Sequence, residues 1–145
     1  MAAEANPNAL EHRSFRLPRG LLGEIRRRAD LSGVSQTALV ERYLEEGIRL
    51  DEHPMIVFRS SPLGRRAMLA GTRLEVAQVV DTVRAEGGSV EAAAAYLGLG
   101  RHHVRACTQY YDEHQAEVDA YARRVVTEND RLREAHEREQ ALLAG

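Results

Sequence analysis

The sequence predicts a mainly α-helical chain with short β segments. It is expected to hold a strand followed by two helices, a second small unit containing a helix-turn-helix, and a long C-terminal helix. Three observations lead there. Apolar residues recur at three- and four-residue intervals over most of the 145 positions. Strand-like patterns are confined to short runs at 12–17 and 55–58. Breaks at Pro18, Gly33, Pro54, Gly71, Gly87-Gly88 and Gly98 divide the helical pattern into pieces of ordinary length.

Composition narrows the class further. The chain is 43% hydrophobic and 29% charged, with no Trp. Its apolar runs are a few residues long, against the ~20 needed to cross a bilayer. Residues 1–10 lack the basic flank and apolar stretch of a signal peptide. Cys107 stands alone, so no internal disulfide is expected. A cytoplasmic protein is the expectation.

The net charge of −2 conceals an asymmetry. Every basic residue is Arg. Residues 12–28 carry six Arg against Glu24 alone, whereas residues 112–145 carry nine acids against five Arg. The first region suits a polyanion and the last suits a protein partner.

Residues 1–11, small and polar with one Pro, read as a flexible arm. In the segment from His12 to Leu17, Phe15 and Leu17 fall on one face and Ser14 and Arg16 on the other, the period of a half-buried strand. Pro18 ends it and suits the first turn of a helix. Leu21, Leu22, Ile25 and Ala29 then mark an amphipathic helix over 19–31. Gly33-Val34 makes a turn, Ser35 is an N-cap, and Leu39, Val40, Tyr43, Leu44 and Ile48 line one face of a helix over about 36–50. Such a unit, spanning 12–53, has too little core to stand alone, and a single strand has no partner. Two copies pairing their strands antiparallel solve both problems, so a dimer is predicted.

This pattern resembles the ribbon-helix-helix DNA-binding domains of the Arc/MetJ/CopG type. The likeness rests on the alternating strand, the spacing from Leu17 to Ile25, and the Gly33-Val34-Ser35-x-Thr37-x-Leu39 approach to the second helix. The resemblance implies a dimer whose paired strands lie in the DNA major groove. On that footing His12, Ser14 and Arg16 contact bases. Ser35, Gln36 and Thr37 at a helix N-terminus contact phosphate, with Arg26 and Arg27 as further phosphate candidates.

A second unit is expected at 54–112. Met55-Ile56-Val57-Phe58 reads as one strand, Ser60 to Gly64 as turn-rich, and Gly71 as a tight bend. Helical spacing resumes at Val79, Val80 and Val83 and stops at Gly87-Gly88. Ser89 caps a helix over about 90–97, Gly98-Leu99-Gly100 turns, and a further helix begins at Val104, which together form a helix-turn-helix pattern. The stretch Ala70-Gly71-Thr72-Arg73-Leu74-Glu75-Val76 resembles the Gly-Thr-Arg signature of a small winged-helix-like bacterial domain found in antitoxins of the VapB type. Two departures are Arg65-Arg66-Ala67 in place of the family's Gly-Lys-Pro, and Ala70 in place of Arg. The resemblance implies a PIN-like ribonuclease toxin as partner. Arg101, His102, His103 and Arg105 offer a second DNA surface, or the helix pair serves as a platform for protein.

From Tyr110 to Leu143 there is no Gly or Pro, so one polar helix is expected, with 113–145 as a tail for a toxin. Tyr121, Arg123, Arg124, Val125, Arg131 and Leu132 are its candidate contact residues.

Catalytic patterns are missing: no phosphate-cradling Gly loop, no nucleophile elbow and no paired acids framed by apolar strands. His103 and Cys107 lie four apart, but no second pair completes a zinc set. No enzyme activity, metal or cofactor is expected. The sequence reading is a repressor that doubles as antitoxin. The alternative is a stand-alone regulator or chromosome-organising protein with two DNA-contacting modules and no toxin.

Overall fold

Helices begin and end where unpaired backbone groups find partners. The computed structural model describes residues 6–144. Residues 1–5 of the expected arm lie outside the described residues. Asn6 closes a small turn, its carbonyl accepting from Ala9 N–H and its side chain from Asn8 N–H, both at 2.9 Å.

Helix α1 (Arg19–Ser32) starts after Pro18 and stops at Gly33, whose φ of 65° lies in the left-handed region that costs glycine little. Helix α2 (Gln36–Glu52) is capped by Ser35, whose Oγ accepts from Ala38 N–H at 3.1 Å. Residues 10–18 form no regular element. The alternation at 12–17 predicts a strand, but a lone strand has no ladder partner for its N–H and C=O groups, and none pairs with it among the described residues.

The chain divides into two compact units, residues 1–44 and 45–145. The first has a small core: Ile25, Ala29 and Leu39 are buried and Val40 packs against them. Beside it Leu17, Leu21, Ile25, Val40, Tyr43 and Leu44 line an open groove. The division falls inside α2, not at the expected 53/54, because Glu46 and Arg49 in the last turns of α2, and His53 just after it, bond to residues farther along the second unit.

In the second unit, strands β1 (Ile56–Ser61) and β2 (Gly64–Leu69) form an antiparallel hairpin. Its register pairs Ile56 with Leu69, Phe58 with Ala67 and Arg59 with Arg66. The turn after β2 needs Gly71, at φ 75°. Thr72 closes that turn, its Oγ1 donating to Leu69 O at 2.9 Å and accepting from Leu74 N–H at 3.0 Å. Gly71 and Thr72 of the Gly-Thr-Arg stretch are thus engaged in building a bend, and Arg73 is exposed.

Helices α3 (Val76–Ala85), α4 (Val90–Leu97) and α5 (Arg101–Glu113) pack on one another and on the hairpin. Ser89 caps α4 as expected, accepting from Ala92 N–H at 3.0 Å. Ile56, Leu69, Val76, Val79, Ala93, Val104, Cys107 and Tyr110 are fully buried. At about 25 cal/mol per Å² of apolar surface removed from water, this cluster is the main stabilising feature of the chain.

The expected single helix from Tyr110 onward is broken at His114, where φ is −129°. Helix α6 (Gln115–Ala144) follows. No Gly or Pro marks the break; tertiary bonds hold it. The corner brings Glu117 Oε1 to 2.9 Å from Tyr110 Oη and packs Val118 and Tyr121 into the core. The first turns of α6 therefore belong to the second unit and not to a separate tail beginning at 113. Thirty residues of helix extend ~45 Å, and residues 131–144 are exposed apart from Ala135. Among the described residues the chain is mainly helical, with six helices and one two-stranded sheet.

Candidate functional site

In the first unit, His12, Ser14 and Arg16 are exposed and lie in the segment without regular structure. Arg13 pairs with Glu11 at 2.6 Å. Phe15 is 79% and Leu17 40% exposed, so the apolar face of the would-be strand is only partly covered among the described residues. Ser35, Gln36 and Thr37 are exposed at the start of α2. The Ser35 side chain caps its own helix, which leaves the first amides of the helix as donors for an anion.

The three arginines at 26–28 are not equivalent. Arg27 Nη2 donates to Glu24 Oε2 at 2.7 Å, and Arg28 approaches the same carboxylate at 3.9 Å. The hydrogen bond and charge of Arg27 hold the Glu24 carboxyl below its usual range. Arg26 is exposed and has no ion pair among the described residues. It is the better phosphate candidate of the two named from sequence.

In the second unit, the start of α5 keeps part of the expected basic surface. Arg101 stands 3.5 Å from Glu91. His103 is half-buried and its Nδ1 accepts from Gly100 N–H at 3.2 Å, which makes it a capping residue and takes it out of the free surface. His102 and Arg105 remain exposed. Cys107, four residues beyond His103, is sealed in the core, and burial pushes its thiol up to about 12, far from the thiolate a metal requires.

Tyr121 is a correction to the expected tail surface. It is buried, with its hydroxyl 3.1 Å from Ser61 Oγ and the Arg124 guanidinium 5.6 Å over its ring. A partner cannot reach it without unfolding the unit. Arg123 and Arg124 are exposed, Val125 is half-buried and Leu132 is 52% exposed. Arg131 is held by Glu128 through two bonds of 2.9 and 2.6 Å.

The densest polar cluster is one that the sequence reading missed. It joins the C-terminal turns of α2 to the α5–α6 corner. Arg49 donates to Glu117, and also to Tyr110 Oη at 3.4 Å. Burial, then the neighbouring Glu117 charge, raises the Tyr110 hydroxyl well above its ordinary range. His53 Nε2 lies 3.0 Å from Glu113 Oε2. The His53 ring packs edge-on against Tyr110 and His114, with centroids at 5.2 and 5.7 Å. Burial, and then the charge of Arg49, hold His114 below its ordinary value. Nearby, Arg65 grips Glu46 through two bonds of 2.7 and 2.6 Å, and Arg66 pairs with Glu75 at 2.7 Å. The bonds from Arg49 and His53 to Tyr110, Glu117 and Glu113 join residues 60 or more apart in sequence, and no spacing rule signals them.

Comparison with protein-family models, with curated proteins and with solved structures found no match. No helix among the described residues is long and apolar enough to cross a membrane.

Proposed function

We propose that this chain is a dimeric, sequence-specific DNA-binding repressor that also serves as the antitoxin of a type II toxin–antitoxin pair. The observation that carries the DNA-binding part is the open apolar groove of the first unit. Three buried residues are too small a core for a stable unit, and Leu21, Leu22, Tyr43 and Leu44 stay 40–58% exposed around it. A second copy covers this face and supplies the missing strand partner for residues 12–17. Pairing would place His12, Ser14 and Arg16 together on one face, with the five other Arg of residues 12–28 nearby in sequence to meet phosphate. Arg26 and the first amides of α2 would fix the backbone register.

The antitoxin part rests on α6. Its second half offers Leu132, Leu142 and Leu143, 52–82% exposed, among charged residues, the make-up of a helix that lies in a partner's groove. The proposed partner is a PIN-like ribonuclease, met by Arg123, Arg124, Val125, Arg131 and Leu132, and the site of action is the cytoplasm, at the nucleoid. The alternative of a stand-alone regulator with a second DNA surface draws on His102 and Arg105. The engagement of Arg101 and His103 within the chain weighs against it.

Selection of DNA from a random pool by the full chain tests the first part. The expected result is a palindromic site bound by an even number of chains, with affinity falling steeply with salt. Failure to enrich any sequence, or a stably folded monomer, overturns it. Co-expression with the product of the adjacent reading frame tests the second part: no complex and no relief of toxicity refute it.

A further inference from the structure

His53, Glu113 and His114 converge where the end of α2 meets the α5–α6 corner, and their ligating atoms all lie within 4.8 Å of one another. His53 is nine-tenths buried, with its side chain 9% exposed. His114 Nε2 is shut away from water and has no hydrogen-bond partner. A buried ring nitrogen without a partner is uncommon enough in folded proteins to need an explanation, and an ion is one. We propose that this cluster binds a divalent transition-metal ion, with His53, Glu113 and His114 as its three protein ligands.

The donor set selects the metal class. Two imidazoles and one carboxylate suit Zn²⁺, Co²⁺ or Ni²⁺, whereas Mg²⁺ and Ca²⁺ want all-oxygen sites. The surroundings fit as well. The Tyr110 ring lies against both imidazoles, with centroids at 5.2 and 4.5 Å, and forms one wall. Arg49 is the nearby positive charge that would repel a cation, and Glu117 neutralises it. Glu113 is 56% exposed, so it can swing from His53 onto an ion that the two packed imidazoles already hold. Three protein ligands leave a fourth position for water or an outside donor.

Such an ion would clip together segments 60 residues apart and raise the stability of the second unit by mass action. The proposal stands apart from the DNA and toxin readings, and its test uses neither. Full-length chain stripped with a chelator is titrated with Zn²⁺ by calorimetry and with Co²⁺ by visible absorption. Expected are one ion per chain, a higher Tm with Zn²⁺, and Co²⁺ bands displaced by Zn²⁺. His53→Gln and His114→Gln should abolish binding. Glu113→Gln, at an exposed position that does not threaten the fold, should weaken it by roughly tenfold or more. A His102→Ala/His103→Ala double variant should bind as the parent does. Absence of a saturable site overturns the proposal. So does a site that keeps full affinity in Glu113→Gln, or one lost with His102 and His103.

Discussion

Leu21 and Leu44 flank the groove of the first unit, 47% and 58% exposed in the single chain. In the proposed dimer both become covered. Changing each to Ala removes about three carbon groups, worth ~0.8 kcal/mol apiece when fully buried. Dimerisation covers about half of each side chain, so each truncation forfeits ~1.2 kcal/mol of association energy. Two positions in two chains then give ~5 kcal/mol. At 1.4 kcal/mol per decade, the dimer dissociation constant of Leu21→Ala/Leu44→Ala rises by roughly three to four orders of magnitude. Sedimentation equilibrium measures it directly. Unfolding at a series of chain concentrations gives a second measure, because a dimer's midpoint shifts with concentration. Leu31→Ala is the control, since Leu31 is 76% exposed and outside the groove lining. The second unit has its own core and should keep its circular dichroism throughout. An unchanged dissociation constant in the double variant, or a parent whose unfolding midpoint ignores concentration, refutes the assignment of this groove to a second copy.

Other outcomes follow from the same structure. Arg16→Ala should cost ~1–3 kcal/mol on the selected DNA site and relax choice at one base pair, as read by anisotropy titration; equal affinity removes Arg16 from the reading face. Ending the chain after Asn129 should leave Tm unchanged, because the buried residues of α6 are Val118 and Tyr121, and yet abolish neutralisation of the toxin. Cys107 should resist alkylation at pH 8 until the chain unfolds. Its thiol is raised from 9.0 to about 12 in the folded state, so its contribution to stability is present below pH 9 and declines as pH climbs from there toward 12. Cys107→Ala should flatten that part of the stability profile in urea titrations; an unaltered slope would show that the thiol does not titrate differently on unfolding.

Local chemistry made most of the helices readable. Gly33, Ser35, Ser89 and Gly98 act on the backbone groups beside them, so α1, α2, α4 and the turn before α5 end near where their residues say. The break at His114 was illegible because nothing local demands it. It depends on Tyr110 reaching Glu117 and on Val118 and Tyr121 finding the core. The same reason hid the division inside α2: His53-Pro54 looks like a boundary, but Glu46 answers to Arg65 and Arg49 to Glu117. Heptad spacing could place Tyr121 on a stripe without telling a partner-facing stripe from one folded inward. The His53–Glu113–His114 cluster had no signature, since its ligands meet only after α2, α5 and the corner are in place.

Among the described residues the hairpin of β1 and β2 is a sheet of two strands, so β1 has no neighbouring strand on its outer side. Ile56-Val57-Phe58 would be an inviting template for a stray chain, were it not followed by Arg59 facing Arg66 across the ladder. Arg66 is paired with Glu75, so the charge a newcomer docking along that margin must approach is that of exposed Arg59, which thereby acts as a gatekeeper against fibril growth. Replacing Arg59 with Val would lengthen the sticky stretch and silence the warning, and light scattering on concentrated Arg59→Val should register clumping where the parent stays clear.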